Sequence, residues 1–89
     1  MFRVEWLQSA LDELAAVWMQ ADSTLRQQIT SSSHQIDMRL EADAIGQSES
    51  RPEGRRVLFE YPLAEIFRLE QDEQTVTVLH VWRFRKRTA

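Results

Sequence analysis

Residues 75–82 read TVTVLHVW, and this stretch decides the fold because polar and apolar side chains alternate along it. Alternation with a period of two predicts a β-strand that buries one face. The predicted strand leads straight into residues 83–87, RFRKR, which carry four cations. A structured strand therefore runs into a basic segment, although the whole chain has a formal net charge of -3.

The charge is divided along the chain. Positions 1–50 carry three Arg against eight Asp or Glu, a net of -5, whereas positions 51–89 carry eight Arg or Lys against six acidic residues, a net of +2. All of the 11 cations except Lys86 are arginines, whose guanidinium groups match phosphates and carboxylates bidentately. This bias favours recognition of an anion or an acidic partner. The alternative is an exposed strand decorated with charge, or a basic segment that docks on the chain's own acidic helices.

The composition indicates a single small globular domain over residues 1–89. Hydrophobic residues make up 43% of the chain and charged residues 28%, with two Gly and two Pro, which argues against disorder. The absence of Cys excludes disulfides, thiolate nucleophiles and thiolate metal sites. No apolar run approaches the length of a membrane span, and the residues after Met1 alternate like a strand rather than a signal peptide. We expect a cytoplasmic protein with no membrane association.

The first half of the chain predicts a strand and a helical hairpin. Residues 2–6, FRVEW, alternate and predict a short strand at the edge of the sheet. Ser9 and Asp12 have the spacing of a capping box, which predicts a helix from Ser9 to about Gln20. Asp22 or Ser23 can cap a second helix. The predicted apolar stripes are Leu7, Leu11, Leu14 and Trp18 on the first helix, and Leu25, Ile29, Ile36 and Leu40 on the second, with Ser32 and Ser33 allowing close approach of the two.

The second half predicts extended chain. Residues 41–54 mix acids with Ser, Gly and Pro and predict a loop. Strands are predicted around residues 57–59, over 63–70 and over 75–82, with a turn at 71–74. The order is β-α-α-β-β-β, which predicts an α+β fold, a small antiparallel β-sheet with an N-terminal helical hairpin on one face.

Few residues outside the arginines have the pattern of a catalytic group. Alternation places His80 with Val78 and Trp82, which predicts a hydrogen-bonded core residue, and His34 lies opposite the apolar stripe of its helix, which predicts exposure. Tyr61, before Pro62, is predicted to be a half-buried aromatic. No spacing of metal ligands, no glycine-rich phosphate loop and no serine nucleophile motif occurs, so we expect neither a cofactor nor a metal. An enzyme built on this sequence would have to depend on Arg.

Three segments resemble a known family. They are residues 2–18, FRVEWLQSALDELAAVW; residues 54–61, GRRVLFEY; and residues 66–87, IFRLEQDEQTVTVLHVWRFRKR. In this order they resemble the strand and helix, the second strand and the basic ending of the RelE/ParE superfamily, the toxins of type II toxin–antitoxin systems, also called plasmid stabilisation proteins. The resemblance covers nearly the whole chain. It implies a small antiparallel sheet with a helical hairpin on one face, in agreement with the predicted order.

The resemblance also implies a function. A toxin of this family inhibits growth and is neutralised by a co-encoded antitoxin, whose acidic or amphipathic segment wraps it and covers its basic groove. The RelE-like branch cuts mRNA on the ribosome without a metal, because the 2′-hydroxyl of the substrate attacks and Arg or Lys stabilises the phosphate charge. The ParE-like branch poisons DNA gyrase and is not a catalyst. Both targets stay open at this point.

The resemblance marks candidate site residues and also shows where this sequence departs from the family pattern. Arg56 matches the basic positions of the second strand, while Arg83 and Arg85 lie in the basic ending, so these three are the candidate catalytic residues. The matching position of the nuclease arginine before the third strand is Ala64, and Arg83 and Phe84 replace the usual His-Gly, which counts against the nuclease. The candidate target- or partner-binding residues are Arg51, Arg55, Arg68, Lys86 and Arg87.

Two other functions fit the sequence. The first is a non-toxic interaction module of the same fold, whose arginines bind an acidic partner segment; Ala64 and Phe84 motivate it. The second, a general nucleic-acid binder, fits less well because the chain is acidic and its aromatic residues alternate as a core rather than as stacking platforms.

Overall fold

A computed structural model of the chain describes residues 1–70 and 72–85. Two helices follow the first strand, and four further strands follow the helices. The elements are β1 (Arg3–Trp6), α1 (Gln8–Met19), α2 (Ser23–Asp43), β2 (Glu49–Arg51), β3 (Arg55–Glu60), β4 (Leu63–Glu70) and β5 (Thr75–Arg83). The predicted bounds of β4 are confirmed, and β5 extends one residue further than predicted.

The five strands form one sheet in the order β1-β5-β4-β3-β2. Strands β3, β4 and β5 are the predicted antiparallel meander, with Ala64 paired to Phe59 on one side and to Trp82 on the other. The α+β class, the helical hairpin and the edge position of β1 are confirmed. The sheet is mixed rather than antiparallel throughout, because β1 runs parallel to β5 with Val4 beside Val76.

The segment predicted as a loop is only partly a loop. Helix α2 continues to Asp43, and β2 then pairs antiparallel with β3 in a register that places Arg51 opposite Arg55. The three exposed residues of β2 have no apolar alternation, so the sequence carried no strand signal there. Backbone pairing with β3 forms this strand.

The two helix starts differ from each other in their caps. Asp22 caps α2 as predicted, since its Oδ1 accepts a hydrogen bond from the Leu25 backbone N–H at 2.9 Å. The capping box predicted for α1 is wrong. Helix α1 begins at Gln8 after Leu7, with no side-chain cap, and Asp12 instead accepts a hydrogen bond from the Gln8 side chain at 2.9 Å.

The hydrophobic core lies between α2 and one face of the sheet. Ile29, Ile36 and Leu40 are buried against Leu58 and Phe67, as the spacing of the α2 residues predicted. Burying side chains of this size contributes about 1.5–3 kcal/mol each. The core holds the hairpin on the sheet.

Ser32 and Ser33 do not serve the close helix approach that the sequence predicted. The Ser32 hydroxyl donates a hydrogen bond to the Glu60 carbonyl at the end of β3. Ser33 lines a groove that separates the two helices. Ser32 therefore links α2 to the sheet rather than to α1.

Strand β5 contains a bulge. Ile66 of β4 pairs with His80 and the next residue, Phe67, pairs with Val78, so Leu79 is an extra residue without a partner in the register. A bulge shifts the alternation by one position. Val78, Leu79 and Val81 are all buried, whereas His80 is exposed.

The outer edge of β5 is covered in two parts. Strand β1 pairs with its first half up to the pair of Trp6 and Val78. Beyond that point the Leu7 N–H donates to the Val78 carbonyl at 3.1 Å, and Glu13 of α1 accepts a hydrogen bond from the Val81 N–H at 3.3 Å. Helix α1 therefore takes over from β1, so that the edge is not left open to another strand.

A carboxyl group is buried in the core. Glu65 in β4 points to the helix side, is 0% exposed, and neither carboxyl oxygen has a hydrogen-bond partner among the described residues. Burial, with a smaller effect from the negative charge of Asp37, raises the pKa of Glu65 to about 9. Burial also raises the pKa of Asp37, opposed by a hydrogen bond from the Trp6 indole N–H at 3.2 Å. Glu65 is therefore protonated in the folded chain at neutral pH.

We predict that Glu65 makes the protein less stable as the pH rises. Between about pH 4.5 and pH 9 the unfolded chain releases the Glu65 proton while the folded chain keeps it, so the free energy of unfolding falls by about 1.4 kcal/mol per pH unit. At pH 7 the accumulated loss is about 3 kcal/mol. Glu65→Gln should flatten this dependence and be more stable than the parent protein at pH 8. Urea unfolding from pH 5.5 to 8.5 measures both slopes, and parallel slopes would contradict the prediction.

Candidate functional site on the open face of the sheet

The face of the sheet turned away from the helices is the open face. Leu58, Leu63 and Phe67 point to the helices. Since neighbouring residues along a strand point to opposite sides, and paired residues point to the same side, the register defines the open face. Three of its cross-strand rows are Arg51, Arg55, Arg68 and Thr77; Glu49, Val57, Ile66 and His80; and Phe59, Ala64 and Trp82.

The first row places three arginines side by side. Arg51 pairs with Arg55 and Arg55 pairs with Arg68, so three guanidinium groups start from adjacent strands within about 10 Å. Arg68 is ion-paired with Glu70 at 2.9 Å and Arg51 with Glu49 at 3.4 Å. Arg55, in the centre, has no ion pair or hydrogen bond within residues 1–70 and 72–85. Like charges placed directly opposite each other destabilise a sheet, and the ion pairs of Arg51 and Arg68 offset part of this repulsion, so Arg55 is the cation of the row that is open to an external anion.

Aromatic side chains occupy the other end of the open face. Phe59 is 45% exposed and Trp82 36% exposed. Phe84 packs edge-to-face against Phe59 at 5.5 Å and against Tyr61 at 5.7 Å between ring centroids. Tyr61 is partly exposed, in agreement with its prediction as a half-buried aromatic. The prediction that the aromatic residues of the last strand belong to the core is wrong, because the bulge turns Trp82 away from it.

His80 is also not a core residue. The bulge at Leu79 moves its side chain to the open face, where 52% of it is exposed. Its Nδ1 lies 3.4 Å from Oε2 of Glu13, the residue whose other carboxylate oxygen accepts from the Val81 N–H. The other histidine, His34, is exposed on α2, as predicted.

The structure separates the predicted catalytic residues. Arg56 points to the helix side, and its guanidinium donates to the Ser48 hydroxyl at 2.7 Å and to the carbonyls of Ser48 and Ile45 at 3.1 and 3.2 Å. Arg83 pairs with Leu63, also on the helix side but exposed. Arg85 follows the end of β5 and is exposed. These three residues do not form one cluster, and their catalytic role stays a prediction.

The predicted binding residues are distributed differently. Arg51, Arg55 and Arg68 are brought together in the arginine row. Lys86 and Arg87 lie outside the described residues. Alternation along a strand places the adjacent residues Arg55 and Arg56 on opposite faces, but no sequence signal indicated which of them lies on the open face.

Two further arginines stabilise the helical hairpin. Arg26 stacks over the Trp18 ring at 4.2 Å and donates to the carbonyls of Trp18 and Met19 at the end of α1. Arg39 of α2 donates to the Phe59 carbonyl at 3.2 Å and to the Glu60 carboxylate at 3.1 Å. Both side chains are used within the fold.

The position that matches the nuclease arginine is buried. Ala64 is 0% exposed, between Phe59 and Trp82 on neighbouring strands. Any cation that acts on the open face must therefore come from another position, and the arginine row lies about 13 Å along β4 from Ala64.

A second surface lies between the helices. A groove of about 410 Å³ is lined mainly by apolar side chains. Leu11, Trp18 and Met19 contribute to it and are all substantially exposed. The predicted α1 stripe therefore lines this groove instead of being fully buried. Ala10 is the fully buried residue of the helix, and Leu14 and Val17 pack partly against the core.

The described residues contain neither a metal-ligand cluster nor a membrane-spanning helix. Within residues 1–70 and 72–85 no three His, Asp or Glu side chains cluster as metal ligands would. Neither helix in the same ranges combines the length and apolarity that a membrane span requires.

Comparisons with known proteins place the fold. No protein-family model matches the chain, and no curated protein matches it. Among solved structures, a chain of the Mycobacterium tuberculosis RelBE2 toxin–antitoxin complex is similar, with a TM-score of 0.72 and 14% identity. The match covers 93% of this chain and 98% of that one. The chain has the fold of the RelE and ParE toxins.

Two more structures support the RelE/ParE fold. The chromosomal ParDE system of P. aeruginosa matches with a TM-score of 0.72 and 17% identity over 96% of this chain and 98% of that chain. The isolated E. coli RelE toxin matches with a TM-score of 0.63 and 17% identity over 98% of this chain and 88% of that chain. The resemblance that the sequence indicated is thus confirmed in the RelE/ParE fold, over nearly the whole chain.

We predict that Arg55 and Arg56 differ in their effect on stability. Arg56→Ala removes three hydrogen bonds to residues 45–48 and should lower the free energy of unfolding by about 1–2 kcal/mol. Arg55→Ala removes an unpaired, exposed cation and should change it by less than about 0.5 kcal/mol. Urea unfolding of the two variants provides the comparison. An equal loss in both would show that Arg55 also has a structural role.

Proposed function

We propose that the protein is the toxin component of a type II toxin–antitoxin system, inhibits bacterial growth and is neutralised by a co-encoded antitoxin. The observation that carries the proposal is the row of Arg51, Arg55 and Arg68 on the open face of a RelE/ParE fold. Arg55 has no partner among the described residues, and Arg51 and Arg68 flank it with exposed ion pairs to Glu49 and Glu70, so the row supplies a surface for a phosphate or carboxylate. We place the protein in the RelE/ParE superfamily on this basis.

The target is a phosphate backbone or an acidic protein surface. In the first case the toxin cleaves mRNA on the ribosome, with arginines stabilising the charge that develops on the phosphate. In the second case it binds DNA gyrase. The open face favours the mRNA branch, because the exposed rings of Phe59 and Trp82, at the end of this face opposite the arginine row, supply stacking positions for unpaired bases. Arg83 and Arg85 are exposed at the other end of β5 and are separate from the arginine row.

We predict that induction of the protein in bacteria stops growth and that co-expression of the neighbouring small gene relieves the arrest. Arg55→Ala combined with Arg68→Ala should abolish toxicity, because it removes the centre of the anion-binding row. Arg3→Ala is the control for loss of an exposed cation, since Arg3 lies on the edge strand β1 and is ion-paired with Glu5. Growth curves and copurification of the two gene products are the measurements. An untoxic parent protein that still binds its neighbour would favour the interaction module.

Mapping of transcript ends after induction distinguishes the two targets. Cuts at fixed positions within codons of translated transcripts indicate the nuclease. Induction of the DNA-damage response without such cuts indicates the gyrase poison. Replacement of Arg83 and Arg85 by Ala in the same assay tests the catalytic role predicted for the basic ending.

The groove between α1 and α2 is the proposed contact for an amphipathic segment of the antitoxin. Its exposed apolar residues need a cover, and the Arg26 guanidinium over Trp18 supplies a cation at one end. We predict that Leu11→Glu weakens antitoxin binding at least tenfold, because a carboxylate would be buried without a partner. Met38→Glu, at an exposed position outside the groove, is the matched control. Titration calorimetry measures both, and equal affinities would contradict the assignment.

A further inference from the structure

His80 has the position of a proton acceptor rather than of a structural residue. It is the histidine of the open face, whereas His34 lies on α2. The pairing of Ile66 with His80 places Arg68, two residues further along β4, at a diagonal distance of about 7–8 Å between backbones. An imidazole, the side chain best suited to proton transfer near neutral pH, therefore lies beside the arginine row.

Glu13 orients this imidazole. Its Oε1 is fixed by the Val81 N–H at 3.3 Å, and its Oε2 lies 3.4 Å from Nδ1 of His80. A carboxylate at Nδ1 favours the tautomer that carries its proton there, which leaves Nε2 as the acceptor. Glu13 is the one charged side chain in ion-pair contact with His80 in residues 1–70 and 72–85.

We propose that His80 is the general base of an RNA-cleaving site on the open face, with Glu13 as its positioning residue. The assignment rests on the proposed toxin function and specifies its mRNA branch. Nε2 of His80 takes the proton of a ribose 2′-hydroxyl, and the 2′-oxygen attacks the adjacent phosphorus. The bond from phosphorus to the 5′-oxygen breaks, and the leaving oxygen takes a proton from water. The products are a 2′,3′-cyclic phosphate and a free 5′-hydroxyl, while Arg68 and Arg55 stabilise the charge on the phosphate oxygens.

The site uses the arginine row in place of an arginine at position 64. Ala64 is buried and offers no cation. The row formed by Arg51, Arg55 and Arg68 lies next to the His80 row, so base and cations occupy consecutive rows of the same face. The exposed ring of Trp82, in the row on the other side of His80, can support the base of the cleaved nucleotide.

The test is cleavage of mRNA on purified ribosomes by the full-length chain and its variants, in single turnover. His80→Gln should slow cleavage at least 100-fold, as removal of a general base does. His34→Gln is the matched control and should cleave like the parent protein. Binding of the antitoxin by each variant verifies that it is folded.

Glu13 is tested by a double-mutant cycle. Glu13→Gln keeps an acceptor for the Val81 N–H but loses the carboxylate charge, so cleavage should slow less than in His80→Gln. The double variant should be no slower than His80→Gln alone, because the two residues act as a unit. Additive losses would remove Glu13 from the mechanism.

The outcomes separate this assignment from the proposed function. Cleavage by His80→Gln within threefold of the parent rate would overturn the role of His80 and leave the toxin intact. Growth arrest without any cleavage of mRNA would also overturn it, again with the toxin function standing. A parent protein that neither arrests growth nor binds an antitoxin would overturn both.

Discussion

Leu79 is one residue more than β5 needs to pair with β4, and the rest of the structure adapts to this bulge. Before the bulge, Val76 and Val78 are buried on the helix side, and after it Val81 returns to the same side. His80, which follows the bulge, and Trp82, which follows Val81, point to the open face. Without the extra residue their orientation would be reversed, because a shift of one position exchanges the two faces of a strand. The composition of the open face is therefore set by a local irregularity of the backbone.

The same region of β5 links the sheet to α1. Strand β1 is too short to pair with all of β5, and Glu13 supplies an acceptor for the Val81 N–H where β1 has ended. A single carboxylate thereby protects the sheet edge, fixes α1 and contacts His80. The two carboxylate oxygens of Glu13 have separate roles: Oε1 accepts the hydrogen bond that stabilises the sheet edge, and Oε2 contacts the proposed catalytic histidine.

The arginines divide into two classes that the charge of the chain does not distinguish. Arg26, Arg39 and Arg56 donate to carbonyls at the ends of helices and strands, where unpaired acceptors are costly. Arg51, Arg55 and Arg68 start from adjacent strands and face away from the core. Within the second class, the ion pairs of Arg51 with Glu49 and of Arg68 with Glu70 offset part of the repulsion between neighbouring cations. Glu65 also lowers stability at neutral pH, because its burial raises the pKa of its carboxyl and the folded chain must keep a proton that the unfolded chain releases.

The sequence by itself determined the α+β class, the helical hairpin, the cap at Asp22 and the meander of the last three strands, because each depends on local periodicity or on a side chain next to its own backbone. It also indicated the RelE/ParE fold. It did not reveal β2, because this strand has no apolar alternation and forms only by pairing with β3. It did not reveal the bulge either, because an extra residue in a strand has no characteristic composition. Tertiary structure alone decided that His80 lies beside Arg68 and Glu13, and that Arg55 rather than Arg56 lies on the open face. These placements depend on strand register and on contacts between residues far apart in the chain, and neither leaves a periodic signal in the sequence.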